Sequence, residues 1–244
     1  MTGDTKTNGK EFQVIHDCHV DVNIVPGDLW YTSTCNEWLS AVEKLGWTKN
    51  NTDLGVGNHD SDGACIRNWM GQTSTYHQIF FTDKLAVTTL NGNTDLKCTS
   101  AQYQALKPKI ESSDAMYNLV QVHQPFLTVK NNHHGPNGEF SCWHALFKAN
   151  GIDMVLQAHV HNYQRFLVDG IEYTVGPPGT HDTGSGLYTL DSKTDQLGHD
   201  CLKCLRDNGV MLLDLQIADP HVHQIIGNTI NLKGQILDHF VLSR

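Results

Sequence analysis

The sequence predicts a layered α/β sandwich that ends in a β meander. Short runs rich in Val, Ile and Leu alternate with helix-like stretches, and each run is bounded by turn residues, a pattern typical of buried strands. From Val210 onward three β-like runs follow one another with no helix between them. Because helices alternate with strands in the first part of the chain and strands alone follow, we expect helices and sheets stacked in layers. The meander would complete a second sheet.

Five apolar runs supply the alternating strands. In chain order they are VDVNIVPGD, TDLGVGNHD, KLAVTTLNG, YNLVQVHQP and IDMVLQAHVH. Of the stretches between them, TCNEWLSAVEKLGW is the clearest helix, because its apolar residues share one helical face between Thr34 as a cap and Gly46 as a stop. SAQYQALKPKI and FSCWHALFKANG repeat the pattern less cleanly.

The remainder of the chain is predicted to consist of a long loop and the meander. The loop runs from Pro177 to Gly209, and a loop of that length is usually functional or mobile. The three meander strands are VMLLDLQI, HVHQIIGNT and ILDHFVLS.

Length, net charge and cysteine content limit the classes of protein to which the chain can belong. The 244 residues fit one large domain spanning 1–244, and a net charge of -9 with scattered basic residues disfavours nucleic acid as a stable partner. No apolar stretch approaches the roughly 20 residues that cross a bilayer, and the first ten residues are polar, with no signal-peptide apolar region. Seven cysteines and a glycosylation sequon at Asn50 favour an extracellular or cell-surface protein. The pair Cys201 and Cys204 favours a structural disulfide or buried thiols over zinc or redox chemistry.

Polar side chains follow the ends of four predicted strands. In chain order they are Asp28, Asn58, His59, Asp60, His123, His159 and His161. In open α/β sheets ligands bind beyond the carboxyl ends of the strands, so these residues are expected to meet along one edge. Oxygen and imidazole ligands without a thiolate suit iron, zinc or manganese. A carboxylate shared by two ions would build the two-metal site used in phosphoryl chemistry.

Four motifs resemble those of a known family in their order and spacing. They are GDxxY from Gly27 to Tyr31, GNHD from Gly57 to Asp60, VxxH from Val120 to His123, and an HxH made of His159 and His161. Together they resemble the calcineurin-like metallophosphoesterases, specifically their purple acid phosphatase branch. The resemblance runs from Thr2 to Leu167, and NGIDMVLQAHVHNYQR matches especially closely. It implies an α/β/β/α sandwich.

The resemblance also implies two metal ions bridged by Asp28, with Fe(III) in one site and Zn(II), Mn(II) or Fe(II) in the other. The further ligands would be Tyr31 and His161 for one ion, and Asn58, His123 and His159 for the other. Tyr31 could instead be the apolar start of a helix.

Three more roles follow from the same resemblance. His59 would face the substrate phosphate as an acid or charge stabiliser without binding metal, and Asp60 would orient it. The family often places a substrate-facing histidine in the loop after VxxH, where this sequence has His133 and His134.

The sequence departs from the family pattern at two places. Ala158 stands where a glycine usually precedes HxH. The first motif, DxG or DxH, has Asp4 as its one candidate, with Lys6 at the third place and no hydrophobic strand before it. Either that strand is missing from a trimmed amino terminus and Asp4 is a metal ligand, or the first metal site is incomplete. Lys6 could contact a phosphate, or its charge could repel a metal ion.

The sequence therefore predicts a metal-dependent enzyme that hydrolyses small phosphate monoesters through a metal-bound hydroxide. One alternative is a phosphodiesterase or nucleotide hydrolase of the same superfamily. Another is a non-catalytic binding or surface protein that keeps the fold with a degraded metal site.

The remaining histidines have simpler interpretations. The cluster HDCHVD, from His16 to Asp21, is predicted to be a solvated helix end. His221 and His223 are expected to share one face of a strand and to have a structural role. For His181, in a glycine-rich loop, a functional and a structural role are equally compatible with the sequence.

Overall fold

The structure, a computed structural model, describes residues 1–7, 9–31, 33–60, 63–130, 139–179, 187–217, 219 and 221–243. The described helices are α1 (Lys10–Asp17), α2 (Cys35–Glu43), α3 (Gly63–Met70), α4 (Ala101–Glu111) and α5 (Phe140–Ala149). The described strands are β1 (Asn23–Val25), β2 (Thr52–Leu54), β3 (His77–Thr82), β4 (Leu85–Thr89), β5 (Tyr117–Val122), β6 (Met154–Gln157), β7 (Tyr163–Val168), β8 (Ile171–Val175), β9 (Lys203–Leu205), β10 (Gly209–Leu215), β11 (Gln224–Asn231) and β12 (Ile236–Ser243).

The strands form one large sheet and two smaller groups. The large sheet has the order β3-β4-β5-β6-β8-β7-β9, and its neighbours β4, β5, β6 and β8 run parallel. Strands β1 and β2 pair in parallel, with Ile24 opposite Asp53. Strands β10, β11 and β12 form an antiparallel meander, which confirms the predicted end of the fold.

Three hydrophobic clusters separate four layers. The first, around Trp143 and Phe147, packs α4 and α5 on the large sheet. The second lies between the large sheet and the two smaller strand groups, and it includes Leu119 of β5 and Met211 of β10. The third, around Trp38, packs α1, α2 and α3 on β1, β2 and β10. The order helix, sheet, sheet, helix confirms the α/β/β/α sandwich.

Helix α2 shows how local sequence directs this packing. Thr34 accepts a hydrogen bond from the Glu37 N–H, and the Glu37 carboxylate accepts one from the Thr34 N–H, so both ends of a capping box are present. Trp38 and Val42 are buried on the core face. The helix ends at Glu43, and Gly46 has a φ of 84°, a conformation that glycine adopts without strain. The predicted cap and stop are both present.

Two expectations need correction. The stretch from Pro177 to Gly209 is not a continuous loop, because β9 within it pairs with β7 beside the Cys201–Cys204 disulfide. The strand predicted from HVHQIIGNT begins only at Gln224. The preceding residues form a turn in which the Val222 N–H donates to the carbonyl oxygen of Asp219.

Disulfides join six of the seven cysteines. The pairs are Cys35–Cys65, Cys98–Cys142 and Cys201–Cys204, and Cys18 is free and exposed. Of the two alternatives that the sequence left open for Cys201 and Cys204, the disulfide is the one present. None of the described helices has the length and apolar character that a membrane crossing requires.

A buried ionic cluster joins β7, β8 and β12. The Arg165 guanidinium lies 2.7 Å from the Asp238 carboxylate and 3.2 Å from the Glu172 carboxylate. The Tyr163 hydroxyl donates to the same Asp238 carboxylate at 2.9 Å. One positive charge is thus shared by two carboxylates at the boundary between the large sheet and the meander.

Candidate metal centre

The carboxyl ends of β1, β2, β5 and β6 bring the predicted ligands together. Asp28 follows β1, Asn58 follows β2, His123 directly follows β5, and His159 and His161 follow β6. The amino-terminal segment reaches the same edge, because the Asp4 N–H donates to the Gly27 carbonyl oxygen at 3.2 Å. The edge predicted from the sequence is therefore the place where these residues meet.

The first group of donor atoms surrounds the Tyr31 hydroxyl. That oxygen lies 3.0 Å from Asp4 Oδ1, 2.8 Å from Asp28 Oδ2 and 3.2 Å from His161 Nε2. His161 Nε2 also lies 3.2 Å from Asp4 Oδ1. Four potential ligands therefore converge, and Tyr31 is directed into the site rather than acting only as the apolar start of a helix.

The second group surrounds His123. Its Nε2 atom lies 3.3 Å from Asp28 Oδ2 and 3.1 Å from Asn58 Oδ1. Donor atoms of Asp28, His123 and His159 all lie within 4.8 Å of one another. The His123 and His159 ring centroids are 5.1 Å apart.

The two groups share one oxygen atom. Asp28 Oδ2 is the atom that contacts both the Tyr31 hydroxyl and His123 Nε2, which is the position that a bridging carboxylate oxygen needs. Adjacent ligands of an octahedral ion with bonds of 2.0–2.1 Å are about 3 Å apart. Contacts of 2.8 to 3.3 Å within both groups match that spacing, so these residues fit a pair of metal ions.

Burial and charge complementarity support the same interpretation. Asp4, Asp28 and His123 are at most 1% exposed, and His161 is 7% exposed. Burial acts to raise the pKa of Asp4 and of Asp28, but hydrogen bonds and positive charge from His161 and His123 respectively hold both values below their ordinary range. A cluster of buried carboxylates of this kind requires positive charge nearby.

Tyr31 has the opposite tendency. Burial, followed by the negative charges of Asp4 and Asp28, raises the pKa of its phenol well above the ordinary value. The same two carboxylates raise the pKa of His123 despite its burial, with Asp28 contributing most. The negative field of the site therefore favours cations of any kind.

Asp60 fixes the loops that carry these ligands. Its carboxylate accepts hydrogen bonds at 2.8 Å from the backbone N–H groups of Asp28, Leu29 and Gly57. The sequence predicted that Asp60 orients the His59 ring. The contacts assign it instead to the backbone of the GDxxY and GNHD loops, which it holds in register.

The two loops approach each other so closely that their glycines are required. Gly27 has a φ of 128°, and a Cβ atom there would lie 2.5 Å from the Gly57 nitrogen. A Cβ atom on Gly57 would lie 2.0 Å from Asp28 Oδ1. A side chain at Gly27 would therefore collide with the Gly57 backbone, and a side chain at Gly57 would displace the Asp28 carboxylate.

Three site residues have left-handed backbone conformations. Asp4, Asp28 and His159 have φ values of 51°, 53° and 68°. Such conformations cost about 1–2 kcal/mol per residue outside glycine. All three residues supply donor atoms to the two groups described above.

His59 occupies the exposed rim of the site. Its backbone N–H donates to Asp28 Oδ1 at 2.8 Å, and its ring centroid lies 4.6 Å from that of Tyr31. His59 is therefore beside the donor atoms but more exposed than the imidazoles of His123 and His161. This position suits the predicted role as a substrate-facing group.

The structure explains two of the departures from the family pattern, those at Asp4 and Ala158. Asp4 lies among the first group of donors, and its Oδ2 atom accepts the His159 N–H at 3.2 Å. Ala158 is fully buried against Gly3, so a methyl group fits where the family has glycine. Lys6 is half-buried two residues after Asp4.

Sequence reasoning missed two contacts around the site. The Tyr188 ring stacks on His161 with centroids 4.6 Å apart and planes 7° from parallel, and no motif marked it. Asn93 donates to the Gly57 carbonyl oxygen at 2.7 Å and accepts from Gln124 at 2.6 Å. Asn93 follows β4 and Gln124 follows His123 in the sequence, and these positions were signals that could have identified both residues.

Other predicted residues lie outside the metal centre or outside the described part of the chain. His133, His134 and His181 belong to the residues that are not described. His16, Cys18 and His19 are exposed at the end of α1, as predicted. His223 contacts Asp153 at 2.7 Å and stacks near Tyr117, which supports the structural role, whereas His221 is exposed in the turn before β11.

The chain is similar in sequence to a known phosphatase. No protein-family model matches the sequence. Purple acid phosphatase 22 of Arabidopsis thaliana is 27% identical over 189 residues, which cover 67% of this chain and 43% of that protein. The chain thus spans less than half the length of the curated relative.

Solved structures extend the similarity to the whole chain. The purple acid phosphatase PPD1 from yellow lupin (Lupinus luteus) matches all of this chain and 53% of its own, with a TM-score of 0.74 and 16% identity. Plasmodium GAP50, described as the anchor in the inner membrane complex, matches 99% of this chain and 87% of its own, with a TM-score of 0.67 and 14% identity.

A dimetal phosphatase from Danio rerio matches 95% of this chain and 86% of its own, with a TM-score of 0.62 and 8% identity. The resemblance identified in the sequence is confirmed in the structure: the chain has the fold of the calcineurin-like metallophosphoesterases, and its structural neighbours include a purple acid phosphatase.

Proposed function

We propose that this chain is a metal-dependent hydrolase domain that cleaves small phosphate monoesters with two metal ions. The observation that supports it best is the position of Asp28 Oδ2, which contacts both the Tyr31 hydroxyl and His123 Nε2. A single carboxylate oxygen shared by two converging donor groups is the arrangement that a dinuclear site requires.

The ligands divide between two ions. Asp28 belongs to both sites. The first site would add Asp4, Tyr31 and His161, and the second would add Asn58, His123 and His159. When bound, two ions there acidify water and neutralise the charge that develops in an in-line displacement at phosphorus.

His59 supplies the acid or charge-stabilising function. Its exposed ring lies against Tyr31, and its backbone is fixed to Asp28 Oδ1. A phosphate group that enters the rim would meet this imidazole before it reaches the buried donors. As a general acid, the His59 imidazole would donate a proton to the leaving oxygen as the ester bond breaks.

Tyr31 supports a trivalent ion in the first site. A phenolate is a strong ligand for such an ion, because the high charge favours the ionised oxygen. We propose Fe(III) there, with Zn(II), Mn(II) or Fe(II) in the second site. The nitrogen and oxygen ligands of that second site suit all three divalent ions.

The proposed substrate is a small phosphorylated molecule, and the proposed location of the protein is an oxidising compartment. A net charge of -9 disfavours long nucleic acids. Three disulfides and an exposed Asn50 in a glycosylation sequon support a secreted or cell-surface location.

The test combines metal analysis with hydrolysis assays on the same preparation. We expect about two ions per chain by mass spectrometry of the metals, with faster cleavage of an aryl phosphate monoester than of a bis-aryl diester. Asp28→Asn should lose metal and activity together. Asp17→Asn, at the exposed end of α1, is the matched control and should retain both. Two ions and full activity in Asp28→Asn would refute the bridging role.

Two alternatives correspond to distinct outcomes. A phosphodiesterase or nucleotide hydrolase would bind two ions but prefer the diester. A non-catalytic protein would bind fewer than one ion per chain and cleave neither substrate. The similarity to GAP50, whose description is that of an anchor, favours that second alternative, as does a lysine, Lys6, only two residues after Asp4 in the sequence.

A further inference from the structure

The two proposed metal sites differ in the charge and burial of their ligands. The first contains the carboxylates of Asp4 and Asp28, both at most 1% exposed, and the phenol of Tyr31. The second shares Asp28 but otherwise offers an amide, that of Asn58, and two imidazoles. Asn58 is also exposed. Affinity for a cation depends on the number of charged ligands and on the rigidity of the site, so the second site depends more on how firmly its neutral ligands are held.

A hydrogen bond from Asn93 fixes the peptide group that precedes Asn58. Asn93 Nδ2 donates to the Gly57 carbonyl oxygen at 2.7 Å, and the Asp60 N–H donates to the same oxygen at 3.2 Å. That carbonyl belongs to the planar peptide group that joins Gly57 to Asn58, so holding it fixes the backbone from which the Asn58 side chain extends. Asn58 Oδ1 then lies 3.1 Å from His123 Nε2.

The same Asn93 side chain is bound to the residue that follows His123. Gln124 Nε2 donates to Asn93 Oδ1 at 2.6 Å. Gly92 leaves the space for this contact, because a Cβ atom there would lie 2.0 Å from Gln124 Oε1. A series of contacts therefore runs from the peptide group of Asn58, through Asn93, to the neighbour of His123.

The loop after β4 holds Asn93 from its other side. Gln102 of α4, which is 2% exposed, accepts from the Asn91 N–H at 3.2 Å and donates to the Asn91 carbonyl oxygen at 3.1 Å. Asn91 Oδ1 accepts from the Asn93 N–H at 2.9 Å, and Asn91 Nδ2 donates to Thr75 Oγ1 at 2.7 Å. Asn93 itself is exposed, so polar contacts, and not burial in the core, determine where its amide lies.

We propose that Asn93 and Gln124 are positioning residues of the second metal site, which set its affinity without contacting the ion. They hold Asn58 and His123 at the spacing that a shared ion needs, so less ordering remains when the ion binds. Both residues act on ligands that the two sites do not share, and the first ion should therefore be unaffected. The inference rests on the proposed two-metal function.

The first test is a zinc titration of the metal-free protein, with free zinc set by a chelator and bound zinc counted by mass spectrometry. We expect two binding steps in the wild type, and Asn58→Ala identifies the step that belongs to the second site. Asn93→Ala and Gln124→Ala should weaken that step by about 10–100-fold, the usual loss when a residue that supports a metal ligand is removed, and should leave the other step unchanged. Asn68→Ala, at an exposed position of α3, is the matched control and should change neither step.

The second test is a double-mutant cycle, which shows whether Asn93 acts through Asn58. If it does, the variant with both Asn58→Ala and Asn93→Ala should bind the second ion no more weakly than Asn58→Ala alone. Additive losses would overturn the inference. So would weakening of both steps in Asn93→Ala together with a lower melting temperature of the metal-free protein by circular dichroism, because that result would assign Asn93 a purely structural role.

Gly92→Ala provides a variant that removes no polar group. The added methyl group would push the Gln124 amide away from Asn93, so the same step should weaken, and unchanged affinity would overturn the role of Gln124.

Failure of the inference can be distinguished from failure of the proposed function. Two unchanged steps in Asn93→Ala and Gln124→Ala would overturn the inference alone. A wild type that binds no zinc in either step would refute the proposed function, and the inference with it.

Discussion

The ionic cluster at Glu172 leads to a quantitative prediction of how stability depends on pH. Glu172 is 1% exposed, and the counter-charge that it contacts among the described residues, Arg165, is shared with Asp238 at the shorter distance of 2.7 Å. Burial therefore outweighs the attraction of Arg165 and raises the pKa of Glu172 from 4.5 to about 7. The folded protein holds this proton at a pH where the unfolded chain has released it.

The sign of the effect follows from proton binding. Between the unfolded and folded pKa values the folded state binds more protons, so the free energy of unfolding falls as pH rises. The contribution of Glu172 is fully present below pH 4.5 and is lost as the pH approaches 7. A pKa difference of this size corresponds to at most about 3 kcal/mol.

Glu172→Gln removes the titration while keeping an oxygen that can accept from Arg165. Urea unfolding followed by tryptophan fluorescence would give the free energy of unfolding of both proteins across this pH range. We expect the wild-type value to fall relative to that of the variant by about 1–3 kcal/mol between pH 4.5 and 7. Glu111→Gln, at an exposed pair with Lys107, is the matched control and should parallel the wild type.

Parallel curves for the wild type and Glu172→Gln would refute this reasoning. They would mean that Arg165 compensates both carboxylates and that Glu172 is ionised in the folded protein. A wild-type curve that rises relative to the variant would have the same meaning, with the additional conclusion that the ion pair stabilises the fold.

Three further predictions concern the metal centre. His59→Ala should retain its metal content and lose roughly 10²–10⁴-fold in turnover, since a positioned acid or base contributes that much; loss of metal would show that His59 is a ligand. Tyr31→Phe should abolish the visible absorption expected of iron-loaded protein while circular dichroism shows an intact fold, and colour that survives would exclude a tyrosinate ligand. Tyr188→Leu should weaken metal retention during dialysis against a chelator by removing the ring stacked on His161, whereas Tyr188→Phe should behave as the wild type; equal losses in both would assign the effect to the hydroxyl.

Much of the fold could be predicted because apolar periodicity and strand ends are local signals. The runs at β5 and β6 are fully buried and bounded by turns, so the sequence marked both their positions and their carboxyl ends. Strands β7 and β9 escaped prediction because β9 is a short edge strand and β7, which lies between β8 and β9, has no clear alternation of buried and exposed residues. Their pairing depends on long-range contacts, including Arg165 opposite Lys203.

The site shows the same division between local and long-range information. His123 and His161 could be identified because each follows a strand that carries them to the same edge. Tyr188 could not, because it reaches His161 from a segment with no periodicity. Likewise, the family resemblance implied that Asp60 orients its neighbour His59, whereas its carboxylate binds backbone groups of Asp28 and Leu29 more than thirty positions away.

The left-handed backbone at Asp4 and Asp28 restricts which substitutions can accumulate there over evolutionary time. Asparagine and glycine tolerate positive φ values far better than branched or bulky residues. A lineage that no longer needed metal ions could therefore exchange these aspartates for asparagine or glycine with little loss of folding stability. Relatives that keep the same sandwich without a need for metal ions are then expected to carry Asn or Gly at these two positions more often than branched residues.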